Sequence, residues 1–428
     1  MLSLSENESI QAERRKPDYH LPTLGDNPVN YNSMGKMKRV VLLTMIVLIL
    51  SACSKNDSSP SGTTGDGTQN NYEETQPVWR LNEFTASQDG FYYRLGDFNC
   101  SPSVEKIYYF DKETHEQYPV CSKPECQHND ESCTAVLGWT EYRGGIWYYA
   151  DKLYLVKNSG GCTWLYRMDT DGSNREKLFE IGDWDYGGAN TYYLYFRDDN
   201  VYIICTHIEN GQNTFIRKRS LDGKVDEMVY ENMDEAYMLE EELQWYSSGL
   251  YMKEYIYNTE NMEDSTQGTR VVAYDFDTNK TEYIDLGNFS GYCFSKDERY
   301  CYFYRINDGL YRRDMKDGKE KKLYESPEGY NLFDMRCIGN YIIMTDLLSV
   351  IHSDSGKMPS VYVIDNDGNL VRQINGFSRY DNLFFGNEEY IFARGLAGDR
   401  GMIYAYIQMA DIETVDGWTL FQMSITGQ

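Results

Sequence analysis

The sequence predicts an all-β protein: a β-propeller of seven four-stranded blades. Three observations lead there. From Val78 onward, short apolar runs alternate with turn signals, and no amphipathic helix interrupts them. Tyrosine is unusually common, with 39 residues against 17 Phe and 7 Trp, and Tyr suits strands that have one apolar and one wet side. Finally, a polar turn followed by an aromatic-rich strand recurs at near-constant spacing.

The recurring unit reads Asp89-Gly90-Phe91-Tyr92, Asp151-Lys152-Leu153-Tyr154, Asp199-Asn200-Val201-Tyr202, Ser248-Gly249-Leu250-Tyr251, Asp297-Glu298-Arg299-Tyr300, Gly339-Asn340-Tyr341-Ile342 and Glu388-Glu389-Tyr390-Ile391. Successive second turn residues lie 62, 48, 49, 49, 42 and 49 positions apart, the long first interval holding a cysteine-rich insertion. A second strand ends in an Asp-rich turn in most units, as in Tyr166-Arg167-Met168-Asp169-Thr170-Asp171-Gly172 and Val363-Ile364-Asp365-Asn366-Asp367-Gly368. Asp-Gly favours a two-residue hairpin turn, in which both central residues take positive φ. A short strand such as Glu176-Lys177-Leu178-Phe179 closes the unit. Four strands in this period make a propeller blade. Seven units give seven blades; six is the alternative, because the last unit is irregular. A β-sandwich would also have short strands and turns, but it would not repeat one motif at fixed spacing.

These repeats resemble the propeller domains of surface lipoproteins from Gram-positive anaerobic bacteria, which are similar to TolB-like and YWTD-like propellers. The resemblance covers residues 78–428. It implies an architecture and no particular activity, because propellers host many functions.

The N-terminus implies an address. Residues 34–52 read as a signal peptide: basic Met-Gly-Lys-Met-Lys-Arg, the apolar run Val40 to Leu50, then Ser51-Ala52 before Cys53. The apolar run is too short to span about 30 Å of hydrocarbon. Leu50-Ser51-Ala52-Cys53 resembles a lipobox, which implies cleavage before Cys53 and acylation of its thiol, palmitate among the acyl groups. Two acyl chains anchor stably where one does not. The expected location is the extracytoplasmic side of the cell membrane. Residues 1–33 fit no targeting logic and are expected to be a non-native upstream extension. Residues 53–76 are the lipidated Cys and a polar, flexible linker, and 77–428 form the propeller.

Charge excludes some partners. The chain carries 41 Lys plus Arg against 67 Asp plus Glu, a net −26. Removing 1–52, with six basic and five acidic residues, leaves 35 − 62 = −27. Nucleic acid and anionic lipid surfaces both require a basic face.

In the expected register the a–b and c–d connections are tight turns on one face of the ring. The long segments 121–142, 181–191, 258–268, 346–360 and 395–401 are b–c or d–a connectors and share the other. Loops on rigid scaffolds carry function, so that face is the expected surface for a protein, peptide or glycan partner.

The sharpest local signal is Cys121-Ser-Lys-Pro-Glu-Cys126-Gln-His128-Asn-Asp-Glu-Ser-Cys133. Thiolates and an imidazole are the usual zinc ligands, and four of them complete a tetrahedral site. The C-x4-C-x-H-x4-C spacing is not that of the common zinc fingers. Disulfides, including one to Cys100, are the rival reading in an oxidising compartment. A similar cysteine pattern in the lipoproteins named above implies a structural role. Cys162, Cys205 and Cys337 read as apolar fillers. A turn at 297–298 pairs residue 293 with 302, which sets Cys293 and Cys301 on opposite faces and leaves them unbonded.

Weaker candidates follow. Trp184 and Tyr186, in the loop Asp183-Trp184-Asp185-Tyr186-Gly187-Gly188, have the chemistry to stack on a sugar or to plug a gap between blades. The Asp-x-Asp-Gly turns lack the bidentate Glu of a calcium loop. His207 and His352 are expected in b–c connectors. No G-x-S-x-G, H-E-x-x-H or phosphate-loop motif occurs, so no catalytic residue is assigned. The expected function is a membrane-anchored propeller that binds or scaffolds. An enzyme acting on extracellular polysaccharide and an accessory subunit of an envelope transport or assembly complex are the alternatives.

Overall fold

A computed structural model describes residues 84–97, 104–130, 132–137, 142–183, 191–207, 213–232, 237–256, 269–325, 332–346, 358–376, 383–396 and 402–423. The expectations for 1–76, and those for Cys53, Cys100, Trp184, Tyr186 and His352, lie outside the described residues. These residues form seven blades, each with strands a to d, and they carry one short 3-10 turn at Met409–Asp411.

Blade I comprises Phe84–Ala86, Gly90–Asp97, Val104–Asp111 and Glu116–Pro119. Blade II comprises Tyr142–Tyr149, Lys152–Ser159, Cys162–Asp169 and Glu176–Asp183, and blade III Thr191–Arg197, Asn200–His207, Asn213–Ser220 and Asp226–Glu231. Blade IV is Tyr237–Trp245, Gly249–Ile256, Arg270–Asp275 and Lys280–Ile284, and blade V Phe289–Phe294, Tyr300–Arg305, Gly309–Asp314 and Glu320–Glu325. Blade VI is Phe333–Ile338, Tyr341–Thr345, Ser360–Asp365 and Leu370–Asn375, and blade VII Leu383–Gly386, Tyr390–Leu396, Met402–Gln408 and Thr419–Leu420. Each blade is an antiparallel meander in sequence order.

The recurring aromatic strand is strand b, and its composition follows from its place. In blade III, Val201, Ile203 and Cys205 face blade II, while Tyr202 and Ile204 face blade IV. Side chains alternate across a strand, so a strand buried on both faces reads as a continuous apolar run.

Every pair of neighbouring blades shares a hydrophobic core. Ile107 and Leu155 belong to the core between blades I and II. Tyr154 and Ile203 join II to III, Tyr202 and Val272 III to IV, and Val271 and Phe303 IV to V. Tyr302 and Ile342 join V to VI, and Ile343 and Ile391 VI to VII. Phe91 and Phe392, with ring centroids 4.8 Å apart, join VII back to I. The ring is therefore closed. Phe421 seals the closing seam, 4.5 Å from the Phe110 ring and 5.8 Å from Phe392. Beyond it, Gln422–Met423 pairs in parallel with Glu116–Pro119 of blade I.

The turns recur at the spacing the repeat predicts, but in blades II and III the a–b turns lie one residue earlier, with Lys152 and Asn200 already opening strand b, and their chemistry differs. The two-residue turns with paired positive φ are a–b turns: Ala150 (φ 49°) with Asp151 (φ 57°), and Asp198 (φ 48°) with Asp199 (φ 56°). In the Asp-Gly c–d turns the glycine is left-handed and the Asp before it is not, as at Gly172 (φ 78°) and Gly223 (φ 74°), and Asn174 (φ 52°) adds a second left-handed residue in blade II. The preceding Asp of the turn supplies the other stabilisation. Asp365 Oδ1 accepts the backbone N–H groups of Asp367 (3.0 Å) and Asn369 (2.8 Å), an Asx-type turn, and Asp275 does the same for Asp277 and Thr278 in the glycine-free turn of blade IV. Blade VII departs from the tight pattern, with residues 409–418 connecting strands c and d.

The cysteine-rich segment, expected from sequence to be a b–c or d–a connector, is an excursion from within strand d of blade I. The pairing Tyr108↔Pro119 ends the first half of the strand. Ile107 then accepts the Val120 N–H and donates to Ala135 O, each at 2.9 Å. Val136–Leu137 resumes the ladder at Lys106 and Glu105. The residues between Val120 and Ala135 thus loop out at one point and return to it. A local pattern cannot show this, because the resumed strand is only two residues long.

Candidate metal centre

The excursion brings together Cys121, Cys126, His128 and Cys133. Their four donor atoms all lie within 4.8 Å of one another. A tetrahedral zinc with Zn–S of about 2.3 Å has edges of about 3.8 Å, so no pair of donors exceeds an edge by more than about 1 Å. His128 Nδ1 stands 3.2 Å from Cys133 Sγ. Three turns set this geometry. Cys126 N–H donates to Lys123 O at 3.2 Å, and Cys133 N–H to Asp130 O at 3.1 Å. His128 sits in the left-handed region at φ 53°, which reverses the chain between the second and third donors. The Lys123 ammonium ties the two ends of the loop by donating to Ser132 O.

The thiols are prepared unequally for ionisation. Burial opposes ionisation of Cys121, but hydrogen bonds from Thr134 and from the backbone N–H groups of Lys123 and Thr134 outweigh it and bring the thiol to about 7. Burial pushes Cys133 up to about 12 against the N–H···S bond from Ala135, which measures 3.3 Å. Burial and the Lys106 charge hold His128 below the usual histidine range, which favours the neutral imidazole that ligates metal. Cys133 is 2% exposed and packs with Ala135 and Val136, while Cys121 and Cys126 are half-buried against them. Four protein donors are the number a closed, structural zinc site uses, whereas catalytic zinc keeps one position open.

The loop is braced against blade II. Thr134 Oγ1 lies within hydrogen-bond distance of Asp171 O (3.0 Å) and Val120 O (3.3 Å). Arg175 of blade II donates to Val136 O at 3.2 Å and also to Thr134 O. These contacts were invisible in the sequence, where Asp171 reads as an ordinary turn residue and Arg175 carries no signal.

Among the described residues the other cysteines stand apart from this centre. Cys205 is buried and Cys162 and Cys337 half-buried, all within strands. The pairing Cys293↔Tyr302 follows the expected register, placing Cys293 in the V–VI core and Cys301 in the IV–V core. His207, expected in a b–c connector, ends strand b of blade III.

No family model matches the chain, and no curated protein does. Solved structures do. A prolyl endopeptidase structure shares 13% identity over 77% of this chain and 49% of its own, with a TM-score of 0.53. The chain thus spans about half of that protein's length. An oligogalacturonate lyase in complex with manganese (14% identity, 66% of this chain and 75% of that one, TM-score 0.43) and TolB from Acinetobacter baumannii (14%, 76% and 75%, 0.34) are also similar. At such identity the likeness to the endopeptidase shows the fold alone: the chain is a β-propeller protein.

Proposed function

We propose that this protein is a lipid-anchored, extracytoplasmic propeller that binds or scaffolds a protein, peptide or glycan partner, with Cys121, Cys126, His128 and Cys133 holding a structural zinc. The observation that carries this reading is the convergence of four soft donors into one closed set on a rigid ring. An imidazole aimed at a thiol has no role in a disulfide pair, whereas zinc uses all four. The lipobox at Cys53 supports anchoring, and the net charge supports repulsion from the anionic surface beneath.

Two measurements test this reading. The mature protein, purified without reductant, is expected to contain about one equivalent of zinc, with Cys121, Cys126 and Cys133 reactive only after chelation. Absence of metal together with oxidised cluster thiols overturns the zinc assignment. Cys53→Ala is expected to move the protein from the membrane to the soluble fraction, and unchanged partition overturns the anchor. Saturable capture of an envelope protein or glycan without product is the expected behaviour of a binding module. Turnover of a polysaccharide would instead establish the enzyme.

A further inference from the structure

We propose that the metal centre is a staple for the seam between blades I and II, so that metal affinity depends on blade II residues that touch no metal. This rests on the zinc reading above. The argument begins with the split strand. Ile107 bonds Val120 on one side of the excursion and Ala135 on the other. Without a constraint, closing the loop between them costs chain entropy. A metal held by residues 121 to 133 removes that freedom and fixes both halves of strand d in register.

The same residues form the seat for blade II. Gly172 occupies its c–d turn at φ 78°, and a Cβ there would lie 2.6 Å from Thr134 O and 3.0 Å from Val120 O. Those carbonyls are the two ends of the excursion. Blade VI repeats the arrangement without a metal: a Cβ on Gly368 would lie 2.2 Å from Leu323 O in blade V. There strand d runs through Glu320–Glu325 with a single-residue bulge at Leu323, and that bulge supplies the seat without an excursion. In blade I strand d breaks at this place, so the loop rebuilds the surface that the neighbouring turn needs. Arg175 then holds it by donating to Thr134 O and Val136 O, on either side of Ala135.

Coupling between sites is reciprocal. If metal orders the seat, disturbing the seat from blade II must weaken metal binding. Gly223 gives the control. It occupies the equivalent c–d turn of blade III at φ 74°, and a Cβ there would meet nothing within 4 Å. Gly172→Ala and Gly223→Ala therefore incur the same backbone penalty, and only Gly172→Ala pushes on the loop. Arg175→Met perturbs the seat with no backbone change and keeps the test decisive if Gly172→Ala does not fold.

The experiment is zinc retention by the mature protein under a competing chelator, for wild type, Gly172→Ala, Gly223→Ala and Arg175→Met. Supporting contacts around a metal site typically change affinity about 10- to 100-fold. Gly172→Ala and Arg175→Met are expected to lose zinc at about tenfold lower chelator, and Gly223→Ala to match wild type. Hydrogen exchange on chelation is expected to rise at 104–120, 135–137 and 166–176, with blades III to VI unchanged. Wild type without zinc overturns the metal reading and this inference with it. Zinc in wild type with equal retention in all variants overturns the staple alone.

Discussion

Ala150 carries the clearest backbone strain of the described turns. It sits at φ 49° beside Asp151 at φ 57°, where a Cβ costs about 1–2 kcal/mol. Asp151 has compensation, since its carboxylate accepts the Tyr148 hydroxyl at 2.6 Å; its neighbour is a bare methyl. Ala150→Gly is expected to raise stability by about 1 kcal/mol, read as a higher denaturant midpoint at constant slope. The turn was legible in the sequence, but its demand on Ala150 was not, because Ala carries no signal for left-handed backbone. Cys293 and Cys301 show the opposite case. Their separation followed from counting residues out from the turn, and the structure pairs Cys293 with Tyr302 accordingly. Burial raises the Cys301 thiol above its ordinary value, so it is expected to resist alkylation in the folded protein.

The Asp-bearing turns make a prediction at the scale of the element. Bonds from the backbone N–H and hydroxyl of Thr278 hold the Asp275 carboxyl below its usual value. Lys224 and Ser220 do the same for Asp222, and Lys319 for Asp317. A carboxyl lowered by folding stabilises above its unfolded value of about 3.9, and that contribution is lost as pH falls through the folded value. The melting temperature is therefore expected to be level from pH 7 to about 5 and to fall steadily below about 4. Asp275→Asn keeps an acceptor but cannot titrate, so it should flatten the fall. A drop that begins near pH 6 would point to histidine instead. These turns were readable from sequence because an Asx turn is closed by neighbours. Strand d of blade I was not readable, because its two halves are held together by Ile107 on another strand.

At the scale of the whole molecule, seven interblade cores act in series around a ring, and the last is closed by a residue from the end of the chain. Phe421 lies among Phe84, Tyr93, Phe110, Phe392, Tyr404 and Tyr406. Phe421→Ala is expected to cost about 2–3 kcal/mol. The loss should appear as faster hydrogen exchange in blades I and VII, with blades III to V protected as before. Uniform loss around the ring would mean that the seam does not open independently.

Sequence alone determined the repeat, the register about the turn at 297–298 and the clustering of three cysteines and a histidine at 121–133; seven blades rather than six was settled by the structure. The first three depend on residues close together in the chain: alternation across a strand, a turn that sets its own pairing, and ligands from 121 to 133. The tertiary structure decided where those donors stand. Whether the cysteine loop hangs from a connector or interrupts a strand depends on Ile107, and what it leans on depends on Gly172 and Arg175. Those partners lie on a neighbouring strand and a neighbouring blade. Their pairing is imposed by closing the ring, a constraint on the whole chain that no local pattern carries.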